Sequence, residues 1–244
     1  NIFQMKNNNI LFKVFNEESI LITWNDKISI QLIDSIISYK NLIEKELKDE
    51  LIECVQSINS MMVIYDPNKI NSKDLINLLK KLNSTSFKVT KTKKKIWSIP
   101  VCYDIGFGID LQDLSTLNSI SIDEIIRLHS SLTYDILSMG FLPGFLYLGM
   151  NHKKLYCERK DKPELNIKSG SIGIARDQSG IYPQDSPGGW RIIGRSPISF
   201  FNADDKSPCF AKPGDKIKFQ NISLSEFNKI EKNRSSYKIK YKVV

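Results

Sequence analysis

The chain has 244 residues, of which 41% are hydrophobic and 25% charged, a composition typical of a globular protein with its core in one large domain or two small ones. Its net charge of +8 would suit nucleic acid, but the lysines accompany no recognition-helix, zinc-finger or RNA-binding pattern, so no nucleic-acid partner is expected. No apolar run approaches the roughly 18 residues of a membrane span, which predicts a cytoplasmic protein without membrane attachment.

Residues 1–92 alternate between strand and helix patterns. Apolar periodicity predicts, in chain order, strands at 10–15 and 20–24, a helix beginning at Ser29, strands at 51–58 and 61–65, a helix capped by Ser72, and an edge strand at 87–89. The order strand, helix, strand, strand, helix, strand is that of a split βαβ unit. The sequence therefore predicts a ferredoxin-like α+β domain over 1–92, followed by a lysine-rich linker at 91–95.

Residues 93–244 open with a strand at 99–101 and a short helix at 110–117. Ser121 and Glu124 form a predicted capping box for the next helix, which carries His129 on the same face as its isoleucines. That spacing leaves open whether His129 is a core residue or a functional one. Pro143-Gly144 predicts a type II turn if Gly144 has a positive φ. A strand at 216–219 and a closing helix capped by Ser223 or Ser225 follow.

Residues 167–197 hold six of the twelve glycines, mixed with single charges, one Tyr and one Trp. Glycine at this density indicates turns and close backbone approaches. Short apolar runs between these turns predict the strands of a barrel or sandwich, with functional side chains on its loops.

Several kinds of catalytic site are poorly supported. Residues 189–196 have P-loop spacing, but the interior Trp-Arg-Ile-Ile is strand-forming and Pro197 follows in place of a helix. The two histidines belong to no metal motif. The four cysteines lie roughly fifty residues apart without a C-x-x-C pair, which indicates free thiols in a reducing compartment. No metal is therefore predicted. No nucleophile elbow is present.

The remaining candidate is a pocket of glycine-bordered amides with nearby arginines, which suits a small anion. The alternative is that the glycines are only turns and that Arg195 is a surface ion-pair residue. The residues alone leave these two readings open.

Multi-residue blocks in residues 99–215 resemble the family of 5-oxoprolinase B subunits, which includes the KipI-type sensor-kinase inhibitors and was formerly labelled allophanate hydrolase subunit 1. The blocks are Ile99-Pro100-Val101-Cys102-Tyr103-Asp104, Gly140-Phe141-Leu142-Pro143-Gly144-Phe145, Gly170-Ser171-Ile172-Gly173-Ile174-Ala175, Gln178-Ser179-Gly180-Ile181-Tyr182-Pro183, Ser186-Pro187-Gly188-Gly189-Trp190, Ile193-Gly194-Arg195 and Pro213-Gly214-Asp215.

The resemblance implies an N-terminal ferredoxin-like domain, 1–92, and a C-terminal cyclophilin-like β-barrel domain, 93–244. It also implies two partners, the A and C subunits of 5-oxoprolinase, of which the C-type partner is homologous to this chain. Together the three would hydrolyse 5-oxoproline to glutamate using ATP. Because the chain has no credible nucleotide cradle, ATP would be bound by the complex and not by this chain alone, and the isolated chain would be inactive.

The resemblance also supplies candidate site residues. Those expected to take part in catalysis are His129 as acid or base, Arg195 and Ser171. Arg195 or Arg159 would hold the carboxylate or developing phosphate charge, and amides near Ser171 would support an oxyanion. The residues expected to bind substrate are Phe141, Pro143, Gly144, Phe145, Arg159, Gln178, Tyr182, Gly188, Gly189 and Trp190. Two departures from the family pattern, Glu164 after Pro163 and Arg176-Asp177 after Ala175, place charge beside the expected pocket.

Two alternatives remain open on the sequence. A KipI-type inhibitor would bind a sensor histidine kinase without catalysis, using Phe141, Phe145 and Trp190 as exposed anchors. A carboxyltransferase-like half of a urea- or allophanate-degrading system would bind a biotinylated carrier.

Overall fold

The computed structural model describes residues 10–84 and 93–244. The chain divides into two compact units, Asn1–Thr92 and Lys93–Val244. Each unit contains a separate cluster of buried apolar side chains. The edge strand predicted at 87–89 lies outside the described residues.

The first unit contains an antiparallel sheet and two helices. Its elements are β1 (Ile10–Asn16), β2 (Ser19–Trp24), α1 (Ile30–Glu46), β3 (Leu51–Gln56), β4 (Ser60–Tyr65) and α2 (Ser72–Ser84). The strand order is β1-β2-β4-β3, with every neighbouring pair antiparallel. Strands β2 and β3 are therefore parallel to each other and separated by β4, so that β2, α1 and β3 form the predicted split βαβ unit. The hairpin partner β1 occupies the sheet edge beside β2.

Alternation of side chains explains the core of the first unit. Ile20, Ile22 and Trp24 on β2 are completely buried, because successive side chains of a strand point to opposite faces. The apolar face of α1 contributes Tyr39, whose hydroxyl donates to the carbonyl of Leu79 in α2 over 2.7 Å. Trp24 and Tyr39 meet edge to face, which ties the helices to the sheet.

The second unit is larger and contains most of the strands. Its elements are β5 (Lys95–Val101), α3 (Leu111–Asn118), α4 (Ile122–Ser131), β6 (Thr133–Met139), β7 (Leu146–Leu148), β8 (Glu164–Ile167), β9 (Ser171–Ala175), β10 (Gln178–Ile181), β11 (Ser186–Gly188), β12 (Arg191–Arg195), β13 (Lys216–Asn221), α5 (Leu224–Lys232) and β14 (Lys240–Val243), with 3-10 turns at Lys153–Leu155 and Arg234–Ser236.

Eight of these strands form one sheet in the order β12-β9-β10-β7-β6-β13-β5-β14, and β8 pairs separately with β11. Strand β5 pairs with β13 and β14 along its length, so only the following residue, Cys102, reaches β12. Cys102 and Arg195 exchange two backbone hydrogen bonds of 2.9 and 3.0 Å. This corrects the predicted barrel: among the described strands a single bridge joins β12 to the end of β5, in place of a continuous closed ladder.

The helix caps follow local side-chain chemistry. Of the two serines predicted as caps of the last helix, Ser223 is the cap, and it forms a complete capping box with Glu226. At α4 only half of the predicted box forms, because Glu124 pairs with Arg127 and does not return to the cap. The predicted cap at Ser72 is wrong by one residue: the side chain of Asn71 accepts the amide hydrogen of Asp74.

No helix among the described residues is both long enough and apolar enough to cross a bilayer. All four cysteines are free thiols, and three of them are buried.

Arg176 occupies a left-handed conformation, with φ 54°, in the two-residue turn between β9 and β10. Because a Cβ atom disfavours this region and the Arg176–Glu158 ion pair is exposed, Arg176→Gly is expected to raise the free energy of unfolding by about 0.5–1 kcal/mol. Urea denaturation measures the gain. Lys162→Gly, at an exposed position with no positive φ, is the control and should give none; an equal gain in both variants would contradict the strain.

Candidate functional site

A cleft of about 300 Å³ opens on the second unit. Aromatic rings, glycines, two prolines and one arginine form its walls. The lining residues are Phe141, Phe145, Tyr147, Arg159, Pro163, Tyr182, Pro187, Gly188, Gly189 and Trp190.

The aromatic wall is built around Phe145, which is 1% exposed. Its ring lies 4.8 Å from Tyr147, 5.0 Å from Tyr182 and 5.7 Å from Trp190, centroid to centroid. The last two contacts are nearly perpendicular, the edge-to-face geometry that aromatic pairs favour. Tyr147 lies in β7, and the other three rings belong to residues directly next to a strand: Phe145 before β7, Tyr182 after β10 and Trp190 before β12. The sheet therefore sets the position of the wall.

Two glycines are required because the rings lie directly against the backbone. A Cβ atom at Gly180 would come within 2.7 Å of both Phe145 and Trp190. A Cβ atom at Gly188 would lie 2.3 Å from the hydroxyl of Tyr182. The glycine-rich segment therefore provides close approach to the aromatic side chains as well as turns.

The predicted turn at Pro143-Gly144 separates Phe141 from Phe145. Gly144 has φ 84°, and the amide of Phe145 donates to the carbonyl of Leu142 over 3.0 Å, as in a type II turn. Phe141 itself has a positive φ of 69° and is 63% exposed at the mouth of the cleft. Pro143 and Gly144 thus shape the mouth without lining the cleft.

Arg159 is the one cation among the described residues that line the cleft. Its guanidinium carbon lies 5.9 Å from the centre of the Trp190 ring. No described residue forms an ion pair or side-chain hydrogen bond with it, so its charge is free to meet a ligand. Burial raises the pKa of Tyr147, and it raises that of Tyr182 to about 12, so both phenols are neutral donors at physiological pH.

His129 lies in the interior of the second unit, away from the cleft, and is completely buried. Its Nδ1 lies 2.8 Å from the hydroxyl of Tyr103, and its Nε2 lies 2.9 Å from Oγ of Ser179. Because Ser179 donates its proton to Asn151, it must accept from Nε2–H. Burial lowers the pKa of His129 to about 3. This position does not support the predicted acid–base role, since both ring nitrogens are engaged inside the protein.

Arg195 is also engaged elsewhere. Its guanidinium carbon lies 5.7 Å from the ring of Phe107 and 5.6 Å from that of Phe227 in α5. Its Nε donates to the carbonyl of Ser169 over 2.9 Å, and the guanidinium lies 3.5 Å from the carboxylate of Glu231. Arg195 therefore holds α5 against the sheet, and the structure does not bring it to the cleft.

Ser171 and Gln178 lie in the sheet. The amides of Gly170 and Ser171 donate to the carbonyls of Tyr182 and Lys168, so they are not free to support an oxyanion as predicted. Gln178 begins β10 opposite Ala175.

Seven predicted binding residues thus share the cleft: Phe141, Phe145, Arg159, Tyr182, Gly188, Gly189 and Trp190. The three predicted catalytic residues lie outside it. Tyr147, Pro163 and Pro187 line the cleft although they were not predicted to. The position of Tyr147 in the cleft could have been predicted from the sequence, because Tyr147 is two residues from Phe145 and strand alternation places both on one face.

Sequence reasoning also missed a buried ion pair behind the cleft. Nζ of Lys160 lies 2.7 Å from Oδ1 of Asp110, whose side chain is 5% exposed. Oδ2 of Asp110 accepts the amide hydrogen of Ile192 over 2.7 Å. No local pattern signals a contact between residues fifty positions apart.

The described residues offer neither a metal site nor a phosphate cradle. No group of three His, Cys, Asp or Glu side chains among them could hold a metal ion. The segment with P-loop spacing is strand β12, whose backbone pairs with β9, so its amides are not free to bind phosphate.

Comparison with known proteins places this architecture in a class. The sequence model of the carboxyltransferase domain, subdomain C and D, matches residues 10–211, and the chain belongs to this family. It is 31% identical over 226 residues to the 5-oxoprolinase B subunit of Bacillus subtilis (strain 168), covering 87% of this chain and 92% of that one.

Two solved structures extend the comparison. A conserved uncharacterized protein from Pyrococcus horikoshii is 38% identical, with a TM-score of 0.53 over 89% of this chain and 100% of its own. The urea carboxylase of Kluyveromyces lactis is 17% identical, with a TM-score of 0.82 over 98% of this chain and 24% of its own, and this likeness concerns the fold alone.

Proposed function

We propose that this chain is the B subunit of an ATP-dependent 5-oxoprolinase, acting in the cytoplasm with the A subunit of that enzyme and its homologous C subunit to hydrolyse 5-oxoproline to glutamate. The observation that carries the proposal is the aromatic cleft with one free cation, in a chain similar over most of its length to a 5-oxoprolinase B subunit. In this assignment the first unit is ferredoxin-like and the second cyclophilin-like. The latter fold by itself does not imply prolyl isomerase activity.

The cleft matches the chemistry of 5-oxoproline, a small planar lactam that bears one carboxylate. The lactam ring packs against the aromatic wall of the cleft, and Arg159 holds the carboxylate through charge-assisted hydrogen bonds. Tyr147 or Tyr182, being neutral, donates a hydrogen bond to the lactam oxygen. These residues bind and orient the substrate.

Ring opening adds water across the lactam C–N bond: oxygen joins the carbonyl carbon and a proton joins the leaving nitrogen. Among the described residues that line the cleft, none is a carboxylate, histidine or thiol that could move these protons near neutral pH. The partner subunits therefore supply the acid and base and bind ATP, which drives the reaction. The site is composite, and the isolated chain is inactive.

The KipI-type alternative loses part of its basis. An inhibitor would use Phe141, Phe145 and Trp190 as exposed anchors, yet Phe145 is 1% and Trp190 5% exposed. Only Phe141 remains available to a partner. The carboxyltransferase alternative is supported by the match to the carboxyltransferase-domain model and by the fold.

Arg159→Met tests the proposal in the complex reconstituted with the A and C subunits. Loss of a charge-assisted contact to the carboxylate is expected to raise KM for 5-oxoproline about 10–100-fold. The assay follows glutamate release and 5-oxoproline-dependent ATP hydrolysis. Arg176→Met, which removes an exposed arginine of the same unit, is the matched control and should leave KM unchanged. A wild-type KM in Arg159→Met would remove the assignment of the cleft.

A further inference from the structure

The segment that carries Arg159 is anchored on both sides of that residue. Before it, Cys157 exchanges two backbone hydrogen bonds with Arg176, and after it Lys160 is held by its backbone and its side chain. The backbone amide of Lys160 donates to the carbonyl of Gly189 over 2.8 Å, and Gly189 lines the cleft. Its ammonium lies 2.7 Å from the Asp110 carboxylate, with only 20% of the side chain exposed. Lys160 is therefore held at both its backbone and the end of its side chain.

Asp110 has an unusual set of partners for its position. It is the residue that precedes α3, where an aspartate normally caps its own helix, yet its side chain makes no capping bond. Its carboxylate instead bridges Lys160 and the amide of Ile192, and its own amide donates to the carbonyl of Ile192 over 2.9 Å. Ile192 lies two residues after Trp190, whose ring lies beneath Arg159. The Asp110 carboxylate therefore connects the segment of Arg159 with the strand that follows Trp190.

The Lys160–Asp110 ion pair is partly buried, and such a pair contributes little net stability, because removing its charges from water offsets much of their attraction. What an ion pair adds is a defined geometry. The exposed Arg159 side chain forms no ion pair or side-chain hydrogen bond with a described residue, and its guanidinium lies 5.9 Å from the centre of the Trp190 ring. Its direction therefore depends on how its backbone and that ring are held.

We propose that the Lys160–Asp110 ion pair positions Arg159 for the carboxylate of the substrate. The inference rests on the proposed function, because it assigns Arg159 to 5-oxoproline. Lys160 and Asp110 touch neither substrate nor reacting atoms in this assignment; they are positioning residues that act through Arg159 and Gly189.

The test compares 5-oxoproline with its neutral carboxamide in the complete complex with the A and C subunits. In Lys160→Met the affinity for 5-oxoproline, measured by calorimetry, should fall about tenfold, the effect of weakening one charge-assisted hydrogen bond. The affinity for the carboxamide should fall by a much smaller factor, because its neutral oxygen accepts from Arg159 without the attraction between two opposite charges. A merely structural defect would weaken both ligands equally, and that result would overturn the proposal.

Three further variants complete the design. Lys162→Met removes an exposed lysine from the same segment and should bind both ligands as the wild type does. Asp110→Asn keeps an acceptor for Ile192 while removing the charge, so it should reproduce the selective loss even if Lys160→Met folds poorly. The double variant Arg159→Met/Lys160→Met should lose no more affinity than Arg159→Met alone.

The two proposals fail in different ways. If Arg159→Met loses affinity for 5-oxoproline while Lys160→Met and Asp110→Asn behave like Lys162→Met, the positioning role is wrong and the cleft assignment stands. If Arg159→Met binds both ligands normally, the assignment of the cleft fails, and the positioning role with it.

Discussion

Between pH 7 and pH 4.5 the second unit is expected to lose about 2–3 kcal/mol of stability through one side chain, His129. Its pKa is about 3 in the folded protein and about 6.5 when unfolded, because burial disfavours the imidazolium. Between these two values the unfolded state binds a proton that the folded state does not. Lowering the pH through this window therefore favours unfolding, and the loss is complete only near pH 3.

His129→Gln removes the titration while keeping one donor and one acceptor. Its stability at pH 7 should be lower than that of the wild type, since the His129 ring stacks on Phe219 at 4.6 Å. Its loss of stability between pH 7 and pH 4.5 should be smaller than that of the wild type by about 2–3 kcal/mol. Urea unfolding at pH 7 and at pH 4.5 measures this difference in stability. Hydrogen exchange in peptides from 93–244 monitors the unfolding of the second unit.

The only other histidine, His152, is exposed and serves as the control: His152→Gln should keep the pH dependence of the wild type. Equal pH dependence in the wild type and His129→Gln would mean that His129 can be protonated in the folded state, which would restore the possibility of an acid–base role.

Trp190→Ala is expected to destabilise the protein by about 3–5 kcal/mol and to remove 5-oxoproline binding. Trp190 is 5% exposed, and its ring lies 5.7 Å from Phe145 and 5.9 Å from Tyr147. Its truncation leaves a cavity against the backbone of Gly180, where no side chain can move in to fill the space. It also removes the ring beneath Arg159.

Trp190→Phe should retain most of the stability, because a smaller ring still fills part of the space. Leu165→Ala is the control for loss of an apolar side chain: Leu165 is 82% exposed, and its truncation should change stability by less than about 0.5 kcal/mol. Chemical denaturation and calorimetric titration of the reconstituted complex measure both effects. A loss below about 1 kcal/mol in Trp190→Ala would show that the aromatic wall is not part of the packed interior.

Side-chain alternation and turn chemistry could be predicted from the sequence. The type II turn at Pro143-Gly144, the capping box at Ser223 and the strand character of Trp190 to Ile193 all depend on residues close together in the chain. Local interactions of this kind act wherever the segment lies, so periodicity and turn residues predict them. The aromatic and glycine residues of the cleft also stood out through their composition.

Local sequence thus specifies the elements, most of the cleft lining and the family, whereas packing of the folded chain selects which charged and polar residues face the cleft. His129 and Arg195 carry chemistry that suits catalysis, yet packing buries the first against Tyr103 and Ser179 and places the second between Phe107 and Phe227. In the proposed assignment Arg159 is positioned by its neighbour Lys160, which pairs with Asp110, a residue fifty positions away in the chain. Burial and long-range pairing set the protonation and availability of each group, and neither is encoded in local spacing.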